Sequence, residues 1–593
     1  MLVYGDPSFQ ESLSLLCERV CFSLERCANV SPGVDRLRAT LIEAGQFEQA
    51  VSDNYEPESE IRVQAENITL AIAGAFIRAW WQIGDPHQKV LDALSACAKL
   101  KNVPAQSVTV KVPEGFAFYT LFPEQYSNAA LEWASKHTGN TDVLVVGLRS
   151  IGTTLSAVVA ATLQERGYKV RRMTVRPRGH PFGREILVKL NGNNVGAALI
   201  VDEGPGLSGS SIAAAAEALE RAGISAEKIA FFPGHSGLPG AAASAEVLAR
   251  WRRTPRFVGD VRDLEWNNRS LTEALAERTE SILGWGVTEI QDLSAGNWRR
   301  YCYEVPEQWP AVCAPFECTK YRCVLENGFS VLWKFQGWSG VPEYGRCGAD
   351  LALSRLERRA ALGWTPKPLG QHLGFVAQRW CEDPPILSDP DDPRRPDELA
   401  QIGAYIHEAA GLIMSPLETD LAFARVREML EVNTREALGD DFASRAVLLG
   451  STVRGFSAQR VSAAGDGRMG PWEWRRNYTG AMIKLDAAGH DTNHTIVGRQ
   501  PVWWDLAGVV VEWDLKPEEL FLVQATAMLE SVAPELLAFY VAAYAAFRTG
   551  QCRFCIGVTG DPRERERLER AADSYQLRLQ HTLGDGILAR LEG

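Results

Sequence analysis

The chain lacks an apolar run long enough to cross a bilayer. Its most apolar late stretch, LLAFYVAAYAAF at 536–547, falls short of the about 20 residues a spanning helix needs and reads as a buried helix. No secretory signal is expected, because MLVYGDPSFQESLSLLCERV has no basic segment followed by an unbroken apolar one. It has no excess of positive charge. Against 74 acidic residues stand 62 basic ones, a formal charge of −12, which disfavours a general nucleic-acid binder. Its 12 cysteines form no secreted framework, so reduced thiols and a cytoplasmic location are expected. Cys552 and Cys555 make a CxxC with no second pair in register, which reads as a packed pair rather than a zinc site. No internal repeat and no long low-complexity linker interrupts the sequence. What is present, 46% hydrophobic and 23% charged residues over 593 positions, is the composition of a globular chain with two to four domains.

Periodicity divides the chain in three. Residues 1–105 carry apolar residues at three- and four-residue spacing, as in VDRLRATLIEAGQFEQAV, and predict a helical region. From 106 to 289 the pattern alternates continuous apolar strands with helices. TDVLVVGLRSIGTTLSAVVAATLQERGYKVRRMTV is one βαβ unit, and AALIVDEGPGLSGSSIAAAAEALERAGISAEKIAFF repeats the arrangement. Unbroken Val/Ile/Leu runs predict parallel strands buried on both faces, with ligand loops beyond their carboxyl ends. From 290 to 593 a small sheet-rich part precedes a larger helical part. YRCVLENGFSVLWKFQGW predicts a hairpin turning at Asn327-Gly328, ADLALSRLERRAALGW a helix and FVAQRW a strand. The fold class expected is α/β and multidomain.

The first chemical signal is ALIVDEGPGLSGSS at 198–211, an apolar strand that ends in Asp202 and Glu203 and enters a small-residue turn before a helix. Amides at a helix start bind phosphate, and hydroxyls add donors. The segment resembles the ribose-5-phosphate loop of type I phosphoribosyltransferases, with one residue more than the usual loop and an inserted Pro205. The resemblance implies Asp202 and Glu203 at the ribose and its magnesium, and Gly206, Ser208, Gly209, Ser210 and Ser211 around the phosphate. By the same resemblance GLRSIGTTLSA supplies a diphosphate loop through Arg149, Ser150 and Gly152. MTVRPRGHPFGR resembles the basic covering loop of orotate-type members, with Arg176, Arg178, His180 and Arg184 over the leaving diphosphate. Arg178 and His180 join the two acids as catalytic candidates. Phe231, Phe232 and His235 are placed to stack on a planar acceptor, or else belong to the core.

The second signal lies in the C-terminal half, which is similar to the aminoglycoside-phosphotransferase and protein-kinase-like superfamily. That likeness implies Lys334 as the strand lysine on nucleotide phosphates and Glu357 as its partner from the following helix. It implies Asp486 in KLDAAGHDTNH as base and Asn493 as a magnesium ligand. Asp505 in WWDLAG is either a metal aspartate or the structural aspartate of a helix start. No Gly-rich loop is evident beyond Gly328, and the spacing from Asp486 to Asn493 is long for the family. His490, Asp491 and His494 are close enough to suggest a metal site.

Together these imply a helical region, a phosphoribosyltransferase-like parallel sheet with helices on both faces, and a two-lobed kinase-like α+β domain. The function expected is magnesium-dependent phosphoribosyl transfer from phosphoribosyl diphosphate to a small-molecule acceptor, with ATP at the kinase-like half. The alternatives are a nucleotide or phosphoribosyl diphosphate sensor that regulates a protein partner, as monomer or homodimer, and a small-molecule kinase. No membrane partner is expected.

Overall fold

The computed structural model describes residues 1–5, 7–29, 32–100, 102–138, 141–180, 183–188, 195–338, 348–454, 463–490, 493–529 and 532–584. The chain is mixed α/β and divides into two compact units. An N-terminal unit comprises Pro7–Leu275 with Gly337–Gly348; a C-terminal unit comprises Met1–Asp6, Ala276–Gln336 and Ala349–Gly593.

In the N-terminal unit the expected helices form as α1 (Leu13–Asn29), α2 (Val34–Asn54), α3 (Glu60–Trp81) and α4 (His87–Lys99). They do not stand as a separate region. Leu41, Phe47, Ile72 and Phe76 share one core with Val145 and Leu199 of the sheet and Val158 of the helix Ile151–Glu165. Cys21 and Cys97 are joined as a disulfide between α1 and α4, in contrast to the reduced thiols expected throughout.

The βαβ repeats are β1 (Asp142–Leu148), α5 (Ile151–Glu165) and β2 (Lys169–Val175), then β3 (Ala197–Val201), α6 (Ser210–Arg221) and β4 (Ile229–Phe232). The sheet order is β2-β1-β3-β4, all parallel, with Val145 opposite Arg172 on one side and Leu199 on the other. Every residue of β3 is buried, as its unbroken apolar run requires. Because β1 feeds β2 on one side and lies beside β3 on the other, the loops after β1 and β3 part at a topological switch point. That is where open α/β sheets bind ligands.

The C-terminal unit begins with a five-stranded antiparallel sheet of β5 (Val287–Asp292), β6 (Lys320–Leu325), β7 (Ser330–Phe335), β8 (Pro368–His372) and β9 (Phe375–Arg379), in the order β8-β9-β7-β6-β5. β6 and β7 are the hairpin read from Asn327-Gly328; Gly328 has φ +82°, a value that favours glycine. The helix α7 (Gly348–Ala361) separates β7 from β8. A helical part follows, with α8 (Arg395–Glu408), α9 (Pro416–Leu438), α10 (Val502–Glu512), α11 (Pro534–Val558) and α12 (Pro562–Thr582). The stretch 536–547 is the buried part of α11, packed in a core with Trp504 and Trp513. Cys552 and Cys555 lie buried on α11, both unbridged. Among the described residues no helix is long and apolar enough to cross a membrane.

Candidate functional site

At the N-terminal unit's switch point the expected residues do come together, but largely in contact with one another. Arg149 donates from Nη1 to the Ser52 carbonyl at 2.7 Å and to Asp53 Oδ1 at 3.0 Å. Arg176 donates from Nε to Asp53 Oδ1 at 3.0 Å and from Nη1 to the Arg149 carbonyl at 2.7 Å. Burial opposes ionisation of Asp53, but Arg176 and Arg149 outweigh it and hold its carboxyl below the ordinary value. Asp53 had no mark in the sequence as a partner for these arginines.

Gly152, read as a diphosphate residue, permits a close backbone approach: a Cβ there would lie 2.7 Å from the Val201 carbonyl oxygen. Ser150 precedes the helix at φ +136° and its Oγ donates to the Val112 carbonyl at 3.5 Å. Asp202 and Glu203 end β3 half-buried rather than facing solvent. Glu203 Oε2 accepts from the Gly115 amide at 2.5 Å, and the Tyr126 hydroxyl donates to the Asp202 carbonyl at 2.7 Å. Burial pushes Asp202 up to about 7. Burial, Glu114 and Asp202 together push Glu203 well above the ordinary carboxylate range.

The small-residue turn runs into α6 with Gly206 and Gly209 at positive φ. The Gly209 amide donates to the Pro205 carbonyl at 2.9 Å and the Ser210 amide to Ser208 Oγ at 3.3 Å, so these two amides already have acceptors. Ser211 is the second residue of α6. The basic covering segment is a two-stranded hairpin, Arg178–His180 against Gly183–Glu185, and Arg184 Nη1 donates back to the Gly179 carbonyl at 2.7 Å. Arg178 is exposed on it. Phe231 and Phe232 lie wholly in the core, so neither stacks on a ligand.

The C-terminal unit holds a denser cluster. β7 presents Lys334 between Lys320 of β6 and Val376 of β9, and its ammonium donates to Asp486 Oδ1. The expected partner Glu357 is exposed on α7 and makes no ion pair with Lys334. One turn face away, α7 instead sends Arg359 inward, and its Nη1 donates to Asp466 Oδ1 at 3.2 Å and to the Ala487 carbonyl.

Asp466, which the sequence reading passed over, is the centre of the cluster and only 5% exposed. Asp505, the fourth residue of α10, accepts the Asp466 amide at 2.6 Å and the Gly467 amide at 2.7 Å on its two oxygens. A metal role for Asp505 is therefore corrected to the structural one, because both oxygens are committed to the backbone. Gly465 is required where it stands, since a Cβ there would lie 2.5 Å from Asp505 Oδ2. Trp504 and Trp513 fix the same loop by donating to the carbonyls of Gly467 at 3.2 Å and Met469 at 2.8 Å. The signal that could have found the loop is Gly465-Asp466-Gly467, an acid bracketed by glycines.

Four donors converge on the Asp466 carboxylate. Lys484 reaches Oδ2 at 2.8 Å, Tyr405 donates its hydroxyl to Oδ2 at 2.9 Å, and Arg359 and His490 Nδ1 lie 3.2 Å and 3.4 Å from Oδ1. His490 Nε2 lies 3.3 Å from Asp486 Oδ2, an ion-pair distance without a hydrogen bond, so the imidazole stands between the two aspartates. Burial opposes ionisation of both acids. It is overcome at Asp466 by Lys484 and Arg359 and at Asp486 by Lys334 and His490, which hold both carboxyls well below their ordinary value. Burial likewise opposes the charge on His490, but Asp486 and Asp466 raise it above the ordinary imidazole value. Asp505, with no cation in contact, is pushed up to about 7 by burial and by Asp466. Beside the cluster a cleft is lined by Arg468, His490, Asn493, Trp504, Tyr544 and Arg548.

Magnesium, which the kinase-like resemblance implies, does not fit the residues present. Both oxygens of Asp486 face protein cations, and those of Asp505 hold amides. Asn493 Oδ1 accepts from the amide and hydroxyl of Thr495 at 3.0 Å and 2.6 Å. The metal triad suggested by His490, Asp491 and His494 is not described as such, because Asp491 lies outside the described residues. His494 packs in a three-ring cluster with Tyr4 and Phe316. The donor atoms of Glu473, Asp486 and His490 do lie within 4.8 Å of one another, but the Lys484 ammonium sits 2.7 Å from Glu473 Oε2.

No family profile matches the chain, and no curated protein matches it. Solved structures align with about half of it. A choline kinase from Streptococcus pneumoniae does so at 15% identity and a TM-score of 0.33, over 51% of this chain and 98% of that one. A choline/ethanolamine kinase family protein from Mesorhizobium loti aligns at 16% identity and 0.33, over 45% and 87%. A macrolide 2'-phosphotransferase from Brachybacterium faecium aligns at 12% and 0.30, over 51% and 97%.

Proposed function

We propose that the C-terminal unit binds a nucleoside triphosphate and transfers its terminal phosphoryl group to a hydroxyl of a small molecule. The observation that carries this reading is the Asp505 carboxylate holding the Asp466 and Gly467 amides, with Asp486 paired to the strand lysine Lys334. Phosphoryl transfer asks mainly for positioning and charge, not for a strong base. Lys334 faces the phosphates. Asp486, the more exposed of the two acids, orients the acceptor hydroxyl, whose oxygen forms the new bond to phosphorus as the bond to the bridging oxygen of the leaving diphosphate breaks. The hydroxyl proton passes to Asp486. Lys334→Met is expected to weaken ATP binding at least about tenfold, a loss of about 1.4 kcal/mol, by isothermal titration. Unchanged affinity in a folded variant overturns this reading.

A second reading concerns the N-terminal unit. The acid pair and the positive-φ turn at Gly206 and Gly209 stand at the switch point between β1 and β3, which supports a phosphorylated ribose ligand there. Phosphoribosyl diphosphate should raise the melting temperature, and no shift at saturating concentration removes the reading.

A further inference from the structure

The cluster around Asp466 and Asp486 already contains a cation beside Glu473, Asp486 and His490, whose donor atoms lie close enough together to share an ion. Lys484 is fully buried; its ammonium donates to Glu473 Oε2 at 2.7 Å and to the Asp486 carbonyl, and forms an ion pair with Asp466 Oδ2 at 2.8 Å. The oxygens of Glu473 and Asp486 that lie close enough to share an ion are thereby facing Lys484, Lys334 and His490. The three carboxylates Asp466, Glu473 and Asp486 stand against three permanent cations, Lys334, Lys484 and Arg359, with His490 added when protonated. A divalent ion entering such a cluster finds no net negative charge and has to displace an ammonium from a carboxylate. Magnesium also requires near-octahedral oxygen ligation, which these committed oxygens do not offer. A polyphosphate anion, by contrast, meets cations at Lys334 and Arg468.

We propose that Lys484 takes the place of the divalent cation, so that a nucleoside triphosphate binds the C-terminal unit as the metal-free anion. The inference rests on the nucleotide reading above, and it departs from the magnesium dependence that reading would ordinarily bring. Lys484 acts as a positioning residue: it holds Asp466 and Glu473 in place, while Lys334 meets the phosphates.

The test is isothermal titration of the full chain with ATP, once with excess magnesium and once with EDTA. The expected result is binding in both, with dissociation constants within about threefold of each other. Binding that disappears or weakens more than about tenfold in EDTA overturns the inference and leaves the nucleotide reading standing. Absence of binding in either condition overturns both. Manganese alone, followed by the free-ion signal in electron paramagnetic resonance, is a second measurement on the unaltered chain. No loss of signal is expected, and a stoichiometric loss that Asp486→Asn abolishes overturns the proposal. Lys484→Gln should create manganese binding by freeing the carboxylates of Glu473 and Asp466. If that chain does not fold, the two measurements on the unaltered protein decide the matter.

Discussion

Asp202 and Glu203 in the N-terminal unit and Asp466 and Asp486 in the C-terminal unit are all acids at strand ends or in loops, sheltered from water. Their electrostatics are opposite. Asp202 and Glu203 have amides and hydroxyls nearby but no cation in contact, and Arg149 and Arg176, the nearest basic residues of the expected site, are tied to Asp53. Burial then dominates and raises both acids. Asp466 and Asp486 lie as deep, but Lys334, Arg359, Lys484 and His490 touch them, and the net shift is downward. Burial penalises the charged form in both places; the sign of the outcome is set by whether a cation shares the site.

The largest test of this contrast removes the cation. Lys484→Met leaves Asp466 and Glu473 buried without their shared ammonium, and breaking such a pair costs about 3–5 kcal/mol. Urea unfolding should show the loss in the C-terminal unit while the N-terminal unit keeps its midpoint. A loss below about 1 kcal/mol means the two carboxylates are solvated after all, and the contrast between the units fails.

An intermediate effect is expected from the acid without a cation. Asp202 is raised, so the folded state keeps its proton to about pH 7 while the unfolded chain releases it near 3.8. Stability is therefore lost as pH rises through that window. Asp202→Asn should gain about 1–2 kcal/mol at pH 8 and almost nothing at pH 4, measured by chemical denaturation across pH. The lowered acids run the other way: the stability contributed by ionised Asp466 and Asp486 is present above their unfolded value and lost as pH falls toward their folded one. A gain for Asp202→Asn that is the same at both pH values would show that ionisation is not the cause.

The smallest effect sharpens the comparison inside α7. Glu357→Ala should change stability by less than about 0.5 kcal/mol and leave ATP affinity unaltered, because the side chain is exposed. Loss of ATP binding in that variant would mean that Glu357, not Arg359, serves the site.

Local pattern determined a good deal by itself. The unbroken apolar runs at 143–148 and 197–201 required strands covered on both faces, and the glycine and small residues after them required βα turns at the carboxyl edge. Asn327-Gly328 between alternating strands required the hairpin that carries Lys334. Period and turn chemistry are properties of neighbouring residues, so a sequence displays them. Which charges meet was decided only by the tertiary structure. Lys334 joins Asp486 across 152 positions, Arg176 joins Asp53 across 123, and Arg359 joins Asp466 across 107. Along the chain Glu357 and Arg359 are simply two charged residues on one helix. Only the packing of α7 exposes the first and buries the second, because residues two apart point to different faces of a helix. Asp466 was missed for the same reason, since an acid between two glycines has no special chemistry until Asp505 grips its amide and four donors close on its carboxylate.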